Sequence, residues 1–134
     1  MPLRGSCLCG TVRYEADQLD APIVHCHCAT CRKAHAAAFN SSAAVERQHF
    51  RWTAGEDKLT RYASSPDKNR WFCSLCGSQL IAEFPAKSRV ILRVATLDED
   101  PGVRPTAHIW TSEHAPWLTD DAAATRYPEW QPGH

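Results

Sequence analysis

Trp71-Phe72-Cys73-Ser74-Leu75-Cys76-Gly77-Ser78 places two cysteines three positions apart with a glycine directly behind the second. A tight turn of this spacing aims both sulfurs at one tetrahedral ion, with metal–sulfur distances near ~2.3 Å for zinc. Gly77 fits a turn whose backbone needs φ above zero. Two more groups precede it: Cys7-Leu8-Cys9-Gly10 and Cys26-His27-Cys28-Ala29-Thr30-Cys31. Residues two apart share a face of an extended strand, so Cys7 and Cys9 suit a strand end. The seven cysteines are an odd number, which three disulfides cannot exhaust. A closed structural site takes four ligands, and three ligands with an open position is the arrangement of catalytic zinc. The middle group holds three cysteines within six residues, enough to grip one ion alone. The outer pairs, Cys7/Cys9 and Cys73/Cys76, then supply the other site and join two distant turns. A structural ion of this kind adds on the order of 10 kcal/mol to folding, against a net domain stability of ~5–15 kcal/mol.

Other divisions of the cysteines exist. They could be buried or redox-active without metal, although a thioredoxin-type role for Cys73 and Cys76 lacks its βαβ setting. Both sites could also be structural. His35 lies four residues after Cys31, one helical turn on if Thr30 to Ala38 is helical, and would then supply a fourth ligand. His25 and His27 alternate with Cys26 and Cys28, so in an extended segment they point away from those sulfurs.

Around the cysteines the pattern is that of strands. Val12, Tyr14 and Ala16 alternate with Thr11, Arg13 and Glu15; Phe50 and Trp52 with His49, Arg51 and Thr53. Leu80, Ala82 and Phe84 alternate with Gln79 and Glu83, with Ile81 breaking the period, and Val90, Leu92 and Val94 alternate with Ile91, Arg93 and Ala95. Such short period-two runs between polar turns at 54–57, 64–67, 84–87 and 98–102 predict antiparallel β structure. Thr30 to Ala38 is the one helical stretch of the first half, and Ala107–Trp110 reads as a short late strand. The expectation is a mainly β chain with short helical segments, one domain over residues 1–134.

Composition narrows the function. Fifteen Lys and Arg balance fifteen Asp and Glu, and the halves match: eight basic and seven acidic residues in 1–67, seven and eight in 68–134. That argues against a general electrostatic grip on nucleic acid or an anionic membrane. No apolar run reaches the ~18 residues of a transmembrane helix. The N-terminus lacks a secretory pattern, so a reducing, cytoplasmic location is expected, where clustered cysteines bind metal more often than they pair.

The motifs together resemble a known family. Gly5-Ser6-Cys7-Leu8-Cys9-Gly10-Thr11-Val12-Arg13-Tyr14 is similar to the opening of glutathione-dependent formaldehyde-activating enzymes and their relatives, the centromere protein V group. Cys26-His27-Cys28-Ala29-Thr30-Cys31-Arg32-Lys33 resembles that family's second motif and Trp71 to Ser78 its third. Arg104 to Trp110 and Ala115-Pro116-Trp117 are similar to its tail. The resemblance implies a β-tent of packed antiparallel sheets with two zinc ions. It implies structural zinc on Cys7, Cys9, Cys73 and Cys76, and catalytic zinc on Cys26, Cys28 and Cys31. The implied activity joins the thiol of glutathione to formaldehyde, and breaks that adduct, as a carbon–sulfur lyase. The implied partners are therefore a small thiol and an aldehyde. Relatives often carry Ser-Gly or similar small residues where this chain has His35-Ala36. If His35 reached the ion, the site would close and the domain would be a zinc-stabilised binding module without catalysis.

Two further residues are candidates for substrate contact or proton transfer. Arg32, with Lys33 beside it, would suit a substrate carboxylate, and His108 in the tail would carry a proton. Trp52, Trp71, Trp110 and Trp117 line either a pocket or the core.

Overall fold

A computed structural model describes residues 1–119 and 123–133. The chain runs through β1 (Leu3–Ser6), β2 (Arg13–Ala16), β3 (Val24–Cys26), α1 (Ala29–His35), β4 (Asn40–Glu46) and β5 (Phe50–Ala54). It continues through β6 (Leu59–Ser65), β7 (Lys68–Cys73), β8 (Gln79–Glu83), β9 (Arg89–Arg93) and β10 (Ala107–Ile109), with single 3-10 turns between. Strands β1-β2-β5 form a small sheet, and β10-β3-β4-β9-β8-β7-β6 a large one. The fold is mainly β, as the alternation predicts. No helix among the described residues is long and apolar enough to cross a membrane.

The core lies between the two sheets. Val12, Tyr14 and Ala16 are buried there while Arg13 is exposed, so the period-two reading of this segment holds. They pack with Val45, Leu80, Ile81, Val90 and Leu92 of the large sheet, and Phe50, Trp52 and Trp71 close the edge of this cluster. The ring of Tyr14 lies over Gly5, its partner across β1 and β2, where any Cβ would collide with it. The Tyr14 hydroxyl hydrogen-bonds Thr96 Oγ1 at 2.7 Å, fixing the ring. Trp110 and Trp117 are exposed and belong to no core.

Ile81 departs from the alternation for a local reason. Trp71 pairs with Ile81 but the next residue, Phe72, pairs with Gln79, leaving Leu80 as an extra residue in β8. A bulge of this kind shifts the phase of the pattern by one. Ile81 and Ala82, successive and so on opposite faces, are both buried. The large sheet is therefore covered on its second face as well as on its core face.

Three expectations shift. The helix is Ala29–His35, starting one residue early and ending three short of Ala38. Cys28 caps its start, the sulfur accepting from the Cys31 N–H at 3.3 Å. Ala36 ends it in the left-handed region, φ 49°, and the N–H groups of Ala36 and Ala37 both turn back to the Arg32 carbonyl. The late strand stops at Ile109 because Trp110 is also left-handed, φ 58°. And β10 lies parallel to β3, the one parallel pair among the described residues, in sheets otherwise antiparallel.

An alanine in the left-handed region costs ~1 kcal/mol relative to glycine. Ala36→Gly is expected to raise stability by about 0.5–1 kcal/mol. A urea titration of both proteins measures this as a higher midpoint with an unchanged slope.

Candidate functional site

The first cluster forms where two turns meet. After β1 the chain turns through Cys7–Val12, with the Gly10 N–H donating to the Cys7 carbonyl at 3.0 Å and Gly10 at φ 79°. After β7 it turns through Cys73–Ser78, with the Gly77 N–H on the Cys73 carbonyl at 2.8 Å and Gly77 at φ 81°. Backbone N–H groups of Val12 and Leu75 point at Cys7 Sγ and Cys73 Sγ, at 3.3 and 3.4 Å. The sulfurs of Cys7, Cys9, Cys73 and Cys76 all lie within 4.8 Å of one another. Cys7–Cys9 and Cys9–Cys73 separations are 3.6 and 3.9 Å. Sulfurs on a tetrahedral zinc are about 3.8 Å apart at ~2.3 Å bonds, whereas a disulfide needs about 2.05 Å. The donor set and its spacing fit a metal ion.

Ionisation is unevenly shared within this cluster. The hydrogen bond with Ser78 leads in pulling Cys76 down to about 5, and hydrogen bonds to Thr11 lower Cys9. Burial pushes Cys73 up to about 11. A bound cation would supply what the buried sulfurs lack, because it stabilises thiolate directly.

The second cluster comes from one short segment. Cys26 ends β3, Cys28 caps α1, and Cys31 lies in its first turn; the three sulfurs are within 4.8 Å of one another. Among the described residues no histidine or carboxylate joins them in a group of that tightness. Burial drives Cys26 up to about 12. Cys31 is also opposed by burial, yet hydrogen bonds from Cys28 and Arg70 hold it below the usual thiol value.

The surroundings of this cluster are cationic. Strand register places Cys26, Asn40, Ser42, Ala44, Ile91 and Arg93 on one face of the large sheet, away from the core. A cleft of about 410 Å³ opens there, walled by the three cysteines, Asn40, Ser42, Lys68, Arg89 and Arg93, with no carboxylate in its lining. Arg93 is 4% exposed and Arg70, whose Nη2 approaches Cys31 Sγ at 3.9 Å, is 2% exposed. Burial, with Arg70 adding repulsion, draws Arg93 down to about 10.

The sequence model of a family described as glutathione-dependent formaldehyde-activating enzyme matches residues 2–113. The chain belongs to this family. Among solved structures it is similar to a structural-genomics crystal structure of a Rhodobacter sphaeroides protein, at 25% identity and a TM-score of 0.64, over 78% of this chain and 98% of that one. None of the curated proteins matches.

In this family member the remaining candidates fall in different places. His35 sits at the end of α1 and lines another cleft with Phe39, Gln79 and Arg93; its buried Nε2 has no hydrogen-bond partner among the described residues. Arg32 is half-buried on α1, outside the lining of the cysteine cleft. His108 pairs with His25 in the β3–β10 register, on the strand face opposite Cys26, and its Nδ1 lies 2.8 Å from His27 Nε2. Sequence reasoning missed Arg70 and Arg93 near the sulfurs. Their only signal was an Arg in each of two strands, which reads as ordinary surface charge.

Two predictions follow from this geometry. Cys73→Ser, at a fully buried position, is expected to cost ~3 kcal/mol or more, or to prevent folding. Cys28→Ser, half-buried at a helix start where serine still caps, should leave the melting temperature nearly unchanged while bound metal falls from about two ions per chain to one. Metal analysis with thermal melting reads both; equal loss of fold would remove the distinction between the clusters.

The second concerns His35, which burial, then Arg93, Arg70 and Lys68, hold down to about 4 from 6.5. The native state keeps the neutral ring while the unfolded chain takes a proton below about 6.5, so stability falls as pH drops toward 4. His35→Gln should lose less of its urea midpoint than the parent between about pH 7 and pH 5, with unchanged metal content. Equal losses would clear His35 of the effect, and a lower metal content would make it a ligand.

Proposed function

We propose that this protein is a zinc enzyme of carbon–sulfur lyase type, forming or cleaving the adduct of a small thiol and an aldehyde. Glutathione and formaldehyde are the proposed pair, by membership of the family. Cys7, Cys9, Cys73 and Cys76 would hold a structural zinc, and Cys26, Cys28 and Cys31 a second zinc used in catalysis. Free thiols at all seven cysteines suit a reducing, cytoplasmic setting. The observation that carries the reading is the three-sulfur cluster in the wall of a cleft lined by cations and no carboxylate.

Zinc bound there would stabilise a substrate thiolate or polarise an aldehyde oxygen. The chain's own residues do the rest. Three thiolates around a dication leave one net negative charge, fewer than the cations of Lys68, Arg70 and Arg93 packed about it. The surplus positive charge favours an anionic substrate, and a tripeptide thiol with two carboxylates meets that demand. Arg89, Arg93 and Lys68 line the cleft and can take those carboxylates, the role first read for Arg32. Asn40 and Ser42 present polar side chains on the same floor. Proton transfer by His108 would run through His27, its hydrogen-bond partner.

The second reading, a non-catalytic binding module, draws on the unpartnered Nε2 of His35 as a fourth ligand. The test is exchange NMR of glutathione and formaldehyde with zinc-loaded protein. Adduct turnover at least ~10-fold above the uncatalysed rate is expected, and Arg89→Ala should raise KM for glutathione ~10-fold with little change in kcat. Turnover at the uncatalysed rate would reject the glutathione reaction.

A further inference from the structure

A second cleft, of about 580 Å³, lies between α1 and the strands β6, β7 and β8. Its construction follows from register. Tyr62 pairs with Arg70 across β6 and β7, and Phe72 pairs with Gln79 across β7 and β8. Ser64, the extra residue at the bulge between Ala63 and Ser65, also lines this cleft. The helix closes the other side with Ala29, Thr30, Lys33 and Ala34, one stripe at helical spacing.

The floor is chemically unsatisfied. Arg70 is 2% exposed and uses Nη2 on Cys31, but its buried Nε and Nη1 have no hydrogen-bond partner among the described residues. Ser64 Oγ and Gln79 Oε1, on the same walls, are buried and unpartnered too. A buried guanidinium left without an acceptor is costly, more so than a neutral group. No carboxylate lines this cleft, and Lys33 adds a second cation. Tyr62 and Phe72 supply flat apolar walls beside these donors.

We propose that this cleft is a binding site for a small carboxylate with a flat apolar body. The carboxylate accepts from the free guanidinium nitrogens of Arg70 and from Ser64, with Lys33 close by. The apolar body lies against Tyr62 and Phe72. The site shares Arg70 with the three-sulfur cluster but opens on a different set of residues from the cleft at Cys26 and Arg93. It stands apart from the proposed lyase reaction, and its test reads binding rather than turnover.

The probe is phenylacetate, with phenylacetamide as its neutral isostere, titrated into the zinc-loaded full chain and followed by amide chemical shifts. Saturating shifts are expected at Thr30, Lys33, Phe72 and Gln79, with phenylacetate binding at least ~10-fold tighter than the amide. Tyr62→Ala removes an exposed ring, so it should weaken phenylacetate several-fold without lowering the melting temperature. Lys33→Ala should narrow the preference for acid over amide. Equal affinity for the two probes would overturn the proposal. So would shifts confined to Ala43, Ile91 and Thr106 of the other cleft, or full affinity in Tyr62→Ala.

Discussion

The meeting of Cys7 and Cys9 with Cys73 and Cys76 sets the relation between the two sheets. Its sulfurs come from turns 64 residues apart in the Cys9–Cys73 pair. Leu8 adds a direct tie, its N–H donating to Ser78 Oγ at 2.9 Å. With that corner held, Val12, Tyr14 and Ala16 must face the large sheet, and Gly5 must leave room for the Tyr14 ring. Closing so long a loop costs chain entropy that a few weak contacts would not offset. A four-coordinate ion at this corner would offset it in one step.

The opposite face of the large sheet is organised by charge rather than by packing. Arg70 and Arg93 are taken out of water on strands that elsewhere carry the core. Buried cations destabilise a fold unless anions meet them. Cys31 meets them: its hydrogen bond with Arg70 and the charge of Arg93 favour its thiolate, and that thiolate in turn favours the charged Arg93. His35 sits inside the same cationic field, and it remains neutral for that reason as well as through burial.

Much of this was legible in the chain, and the remainder failed for identifiable reasons. Strands with one buried face, at Val12–Ala16 and Val90–Leu92, announced themselves by alternation. β6 did not, because it is an edge strand with Thr60, Arg61, Tyr62 and Ala63 all exposed. β4 did not, because Ser41-Ser42-Ala43-Ala44 offers small residues to both of its covered faces. The alanine run after Cys31 suggested a longer helix than forms. Propensity favours continuation there, but the backbone has to turn toward β4 within five residues. The left-handed Ala36 accomplishes that turn. Arg70 and Arg93 were invisible as site residues, because which face of a sheet is covered is a tertiary fact.

The parallel pairing of β10 with β3 has a consequence for how the protein is made. Synthesis proceeds from the N-terminus. All four cysteines of the corner cluster have been added by residue 76, so the two sheets can be joined while the chain is still growing. β3 gains β4 as a neighbour early, but its other edge stays bare until Ala107–Ile109 emerge. Glu113, whose carboxylate accepts the Ala29 N–H at the start of α1, comes later still. The segment bearing Cys26, Cys28 and Cys31 is therefore among the first parts translated and the last to be enclosed. Through that interval its three thiols are more open to oxidants and to competing metals than in the finished fold, where Cys26 and Cys31 are buried.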